Sequence, residues 1–214
     1  IDLTLMTDEK ASIFLDPKYK APELTFLYTP DTDKMGRFSG HLVMHLHTGT
    51  HMDTPRHLGF DNNLDDVKLD DICGETLIIK LPFVKAGPIT VEMVEKYLPE
   101  GIQTEGKRLL IMCGYNDSKW TNDDYFEDSA YVSPELGQWI VDKGFVLVGL
   151  DMLTDGLPGL PTHKVLLSNG VYILEYLANY DALPEGFSTA VLITAPLRLR
   201  GMEASPVRAF LIQN

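Results

Sequence analysis

HLHTGTHMDTPRH, residues 45–57, gathers imidazoles as no other part of the chain does. Five of the six histidines lie between His41 and His57, and the remaining one is His163. Upstream, SGHLVMHLHT alternates with the period of a strand. Leu42, Met44 and Leu46 project to one side, and His41, Val43, His45 and His47 to the other. Thr48-Gly49-Thr50 then turns the chain, with Gly49 permitting a tight backbone path. Beyond the turn His51 and Asp53 are two apart, so in extended chain they face the same side. A strand, a turn and an extended return can thus aim His47, His51 and Asp53 at one point. Two imidazoles and a carboxylate suit zinc, manganese or iron(II), and a pair of ions where the carboxylate bridges. His57 follows Pro55 and can face the same point without ligating. His41 and His45 share the strand face of His47 but fall outside the spacing, which gives them supporting or surface roles.

A second segment carries the same chemistry. Glu175 stands 12 residues after His163, inside the apolar run VYILEYL. An unpaired carboxylate buried there costs several kcal/mol or is forced neutral, and a metal cation is a partner that relieves this.

The bulk numbers frame these motifs. The chain has 214 residues, 44% of them hydrophobic and 23% charged, which fits one soluble domain spanning residues 1–214. A net charge of −13 opposes phosphate backbones, so nucleic acid is not an expected partner. No apolar stretch approaches the length of a membrane span, and the opening IDLTLMTDEK lacks the pattern of a leader. Cys73 and Cys113 are the only cysteines and sit in apolar surroundings. They read as buried free thiols in a reducing, cytoplasmic compartment.

Strand-like and helix-like runs alternate along the chain. Strands are expected at 1–6, 39–48, 74–82, 107–113, 145–151 and 171–177, with two closing strands on either side of a turn at 201–206. Helices are expected at 90–98, capped by Thr90, and at 133–144. There Ser133 is the cap, Pro134 opens the helix and Gly144 ends it. Residues 7–38, with Pro17, Pro22 and Pro30, are expected to form a long loop with short helical pieces. The total is mixed α/β with more strand than helix.

Taken together, the residues resemble the cyclase-like metal-dependent hydrolases, which include bacterial kynurenine formamidase and isatin hydrolase. The family pattern H-x-G-T-H-x-D-x-P-x-H stands complete from His47 to His57, and His163 and Glu175 match its second segment. FVLVGLDML, NYDALPEG and GMEASPVRAFLI extend the resemblance over most of the chain from about Ser39 onward. The resemblance implies a swivelling β/β/α fold, a β-rich barrel-like core flanked by helices. It implies that His47, His51 and Asp53 hold one metal, that Asp53, His163 and Glu175 hold a second, and that His57 is the acid/base residue. It implies zinc, one ion or two, with a single manganese ion in isatin-hydrolase-like members. The implied reaction is hydrolysis of a small molecule by metal-activated water. The bond is of amide type but not a peptide, in an aryl formamide such as N-formylkynurenine or a cyclic amide, or it is the related ester of a lactone. The implied assembly is a homodimer or homotetramer in which N-terminal segments complete neighbouring sites. Two departures touch the substrate pocket and leave the metal residues intact. The stretch 10–32 lacks the tryptophan of formamidases, and Met112-Cys113 replaces an Arg-Thr pair.

Two further readings stay open on the residues alone. One is a metal-storage or metal-sensing module without turnover; the spare imidazole of His57 speaks against it. The other is an oligomer scaffold with a structural metal, which prefers closed, cysteine-rich sites, and neither cysteine lies in the motif.

Overall fold

The computed structural model describes residues 1–13 and 16–213; the part of the expected loop at Phe14 and Leu15 lies outside them. Among the described residues, eleven strands, five short α-helices and three 3-10 turns make a mixed α/β architecture with a barrel-like core flanked by helices. The strands are β1 (Glu23–Tyr28), β2 (Ser39–Val43), β3 (His51–Asp53), β4 (Gly74–Lys80), β5 (Gly87–Ile89) and β6 (Arg108–Met112). They continue with β7 (Ala130–Val132), β8 (Leu147–Leu150), β9 (Tyr172–Glu175), β10 (Gly186–Pro196) and β11 (Ala204–Ile212). The helices are α1 (Leu69–Ile72), α2 (Val91–Glu95), α3 (Tyr115–Lys119), α4 (Pro134–Asp142) and α5 (Pro161–Ser168).

Seven strands close a barrel in the order β10-β11-β3-β9-β8-β6-β4. The run β4-β6-β8-β9 is parallel, while β3, β11 and β10 complete the circle with antiparallel neighbours. Strand parity sorts the apolar side chains into two cores. Met52, Ile78, Leu110, Met112, Leu174 and Leu192 belong to one, inside the barrel. Leu77, Ile79, Leu109, Ile111, Val148 and Ile173 belong to the other, which also takes in Leu136 and Ile140 of α4 and Leu166 and Leu167 of α5. Gly149 is the inward residue of β8 where barrel side chains crowd closest: a Cβ there would lie 2.3 Å from Leu110 Cδ2.

The expected elements from residue 74 onward appear within a few residues of their limits. Ser133 Oγ accepts the Leu136 N–H at 3.1 Å and caps α4. Thr90 stands at the cap of α2 but its side chain makes no cap bond, and α2 stops at Glu95. Three expectations fail upstream. Residues 1–6 are not a strand: Asp2 and Thr4 make isolated bridges to Phe210 and Leu177, because the segment crosses between two parts of the barrel. The alternating run 39–48 is strand only as far as Val43, where its hydrogen-bonding partner β1 begins at Glu23. β1 itself lies inside the segment expected to be loop. Its partner supplies the ladder that Pro22 and Pro30 on its flanks do not forbid. Among the described residues no helix is long and apolar enough to cross a membrane.

Candidate metal centre

β3 has only three residues, yet it is paired on both sides, with β11 and with β9, so its side chains are held on a rigid frame. Met52 points into the barrel. By strand parity His51 and Asp53 therefore point outward, toward the helical layer. The β3–β9 register sets His51 directly opposite Glu175. The turn before β3 is pinned: Thr50 Oγ1 donates to the Tyr176 carbonyl at 2.6 Å and accepts the Leu5 N–H at 2.9 Å. Gly49 has φ +65°, a conformation glycine adopts at no steric cost. His163 arrives from the first turn of α5, over the same face.

These residues converge. His47 Nδ1 lies 2.9 Å from Asp53 Oδ1, and His51 Nε2 lies 3.3 Å from the same oxygen. His51 Nε2 is 3.2 Å from Glu175 Oε2. His163 Nε2 is 3.6 Å from Asp53 Oδ2 and 3.7 Å from Glu175 Oε1. Asp53 is fully buried, and neither of its oxygens has a partner in hydrogen-bonding geometry. Nitrogen and oxygen donors packed around an unsatisfied buried carboxylate fit a divalent cation with borderline ligand preference. One ligand atom each from His51, Asp53 and Glu175 lies within 4.8 Å of the others, and the same holds for His47, Asp53 and His57.

The electrostatics agree with that fit. Burial alone would keep His51 neutral, but Asp53 and Glu175 override it and push its pKa up to about 10. His163 is likewise raised to about 10 against its burial, by Asp155, Asp53 and Glu175. Burial works against ionised Asp53 too, yet His47 and His51 hold it well below the usual carboxylate range. The two carboxylates demand positive charge, and protons on the imidazoles supply what a metal otherwise would.

His57 is placed differently. Its ring sits 4.3 Å from that of His47 and 5.6 Å from that of His163. Burial lowers its pKa, outweighing the pull of Asp53, so the ring favours its neutral form. It lines a pocket of about 180 Å³ that opens over the cluster, with Ile13, Tyr19, Phe126, Leu153, Leu160 and Tyr176 among its walls. His45 lines it as well, its ring 4.0 Å from Tyr19, whereas His41 is exposed on β2.

Four of the five candidate ligands are also held from behind, by Gly49 and by three residues the sequence did not single out. Gly49 O accepts from His51 Nδ1 at 2.9 Å, Glu203 Oε1 lies 3.4 Å from His47 Nε2, and Thr154 Oγ1 donates to Glu175 Oε1. Asp155 contacts His163 Nδ1 at 2.5 Å. The sequence signal for these groups is faint, because contacts across the fold leave no spacing to read. A short acidic side chain upstream of α5 is the one hint that Asp155 offers.

Comparison with known proteins places this geometry. Residues 1–154 match the Cyclase family model, described as "Putative cyclase". The chain is 34% identical over 206 residues to Cyclase-like protein 3 of Oryza sativa subsp. japonica, covering 88% of this chain and 71% of that protein. It is 34% identical over 179 residues to a kynurenine formamidase of Geobacillus thermodenitrificans, covering 80% and 78%. Among solved structures, an isatin hydrolase bound to the product analogue thioisatinate superposes with a TM-score of 0.85 at 19% identity, covering 100% of this chain and 92% of the other, a likeness of fold. A potential metal-dependent hydrolase with cyclase activity superposes with a TM-score of 0.79 at 26% identity, covering 100% and 98%.

Proposed function

The chain belongs to the cyclase family, and from that premise we propose that it is a metal-dependent hydrolase opening a carbon–nitrogen bond, other than a peptide bond, in a small molecule. The observation that carries the reading is Asp53. A fully buried carboxylate whose oxygens meet no donor in hydrogen-bonding geometry, ringed by His47, His51 and His163, favours a cation beside it. His47, His51 and Asp53 would hold one ion, and Asp53, His163 and Glu175 would hold a second where two are bound. Zinc suits this mixed nitrogen and oxygen set, and manganese is the alternative. A metal bound there would supply Lewis acidity at a carbonyl and would lower the pKa of water toward about 7.

The chain's own residues do the rest. The apolar walls at Ile13, Phe126 and Leu160 hold the organic part of an aryl formamide or cyclic amide and exclude water around it. His57 stands between the pocket and the cluster, takes a proton during attack and returns it to the leaving nitrogen. Its neutral resting form fits the first of those steps. A second reading of His57, as a ligand, draws on its reach to His47 and Asp53.

The exposed β1–β2 ribbon supports a homodimer. A two-stranded ribbon is marginal alone in water; Phe26 and Leu27 are 66% and 60% exposed on this one, and Phe38 just before β2 is 65% exposed. The free thiols of Cys73 and Cys113 support a reducing compartment such as the cytoplasm.

The reaction is tested with zinc- and manganese-loaded protein on formanilide, isatin and a small lactone. Metal-dependent turnover of formanilide or isatin is expected, and turnover of the lactone alone contradicts the carbon–nitrogen assignment. Tight metal binding with no turnover on any of the three supports a binding module instead.

A further inference from the structure

The imidazole of His163 can turn either nitrogen toward the cluster, and only one arrangement presents a lone pair to a metal. Asp155 decides between them. Its carboxylate has three N–H partners. Oδ1 accepts the Thr162 N–H at 2.8 Å, and Oδ2 accepts the His163 N–H at 3.1 Å and contacts His163 Nδ1 at 2.5 Å. The two backbone donors belong to the first turn of α5, so Asp155 holds the helix start and the ring as one unit. The side chain is 4% exposed, which leaves little room for water as a competing partner. An ionised carboxylate only accepts, so Nδ1 must carry the proton. In the neutral ring that a metal would bind, Nε2 then keeps its lone pair, and it is Nε2 that lies 3.6 Å from Asp53 Oδ2 and 3.7 Å from Glu175 Oε1.

We propose that Asp155 is a positioning residue for the metal centre, fixing the tautomer and the direction of the His163 ring. The inference rests on the ligand set proposed above. It sets Asp155 apart from Gly49 O and Thr154, because Asp155 alone couples a ligand's orientation to the seating of a helix. Partners of this kind are generally worth about 10–100-fold in metal affinity.

The test is a double-mutant cycle read by zinc affinity, measured by competition with a colorimetric chelator. Asp155→Ala is made in the parent chain and in a His163→Ala background. We expect it to weaken zinc binding about 10–100-fold in the parent and less than about 2-fold where His163 is already absent. A purely structural role at the start of α5 weakens binding equally in both backgrounds, and that result overturns the proposal, as does no loss in the parent. If Asp155→Ala does not fold, Asp155→Asn is read in the same two backgrounds, and the same split decides. A parent chain that binds no zinc or manganese refutes the metal centre itself, a different outcome from an uncoupled loss.

Discussion

Two pieces of extended chain leave the same histidine-rich stretch and end in opposite surroundings. β3 has three residues, all buried, with a hydrogen-bonded neighbour on each side. β2 has five, four of them exposed, and β1 as its one neighbour. Both alternate polar and apolar side chains, and both carry histidine. What separates them is closure. β3 completes a barrel whose inner face takes Met52, which obliges His51 and Asp53 to share the outer face with Glu175. β2 completes only a ribbon, so Leu42 and Val43 remain 51% and 49% exposed. Alternation therefore tells which side chains travel together, while burial depends on what the rest of the chain brings to each face.

The comparison is easiest to break at the buried strand. Asp53→Ala should lose metal more completely than His47→Ala, since Asp53 belongs to both proposed ligand sets, and its hydrolysis should fall to background. Full metal occupancy of purified Asp53→Ala by elemental analysis would refute its place in those sets. His57→Ala should keep its metal and slow turnover by about 10²–10⁴-fold. Metal lost in parallel with activity makes His57 a ligand and moves the proton-transfer role elsewhere.

The exposed strand gives a different kind of effect. Phe26→Asp with Leu42→Asp should convert a dimer to a monomer in light scattering without removing metal. Parent protein that is already monomeric and fully active at the same concentration contradicts an interface there. Inside the barrel, Gly149→Ala should cost about 1–3 kcal/mol by overpacking, because its Cβ meets Leu110 and Leu177. Denaturant midpoints check this, and kcat/KM should stay near that of the parent. The smallest effect concerns the cysteines. Burial, with Asp151 beside it, pushes the Cys113 thiol up, so in native protein a thiol reagent should label half-buried Cys73 and leave Cys113 untouched. Rapid labelling of both thiols contradicts that burial.

The sequence was most legible where one local pattern had one spatial consequence. The turn at Gly49 and the two-residue step from His51 to Asp53 allowed convergence to be read directly, and so did the capped helix from Ser133. The strands of the parallel run announced themselves as apolar stretches because both faces are covered, one by the barrel interior and one by helices. β1 was hidden: ELTFLY lies between prolines, and its pairing with residues 39–43 is a long-range event. Asp155, Thr154 and Glu203 were hidden for a related reason. Each acts on a ligand brought to it by the fold, such as Thr154 on Glu175, which is 21 residues away. A buried carboxylate at Glu175 could be argued from apolar neighbours, but its hydrogen-bond donor could not.

The most direct test of the central claim is a back-titration. Purified protein is stripped with a chelator, shown by circular dichroism to keep its fold, and returned to activity by adding zinc or manganese while hydrolysis of the best of the three substrates is followed. The account expects the stripped protein to be inactive, and expects activity to return in proportion to metal bound, saturating at one or two equivalents. Folded, metal-free protein that hydrolyses the substrate at the parent rate would contradict it.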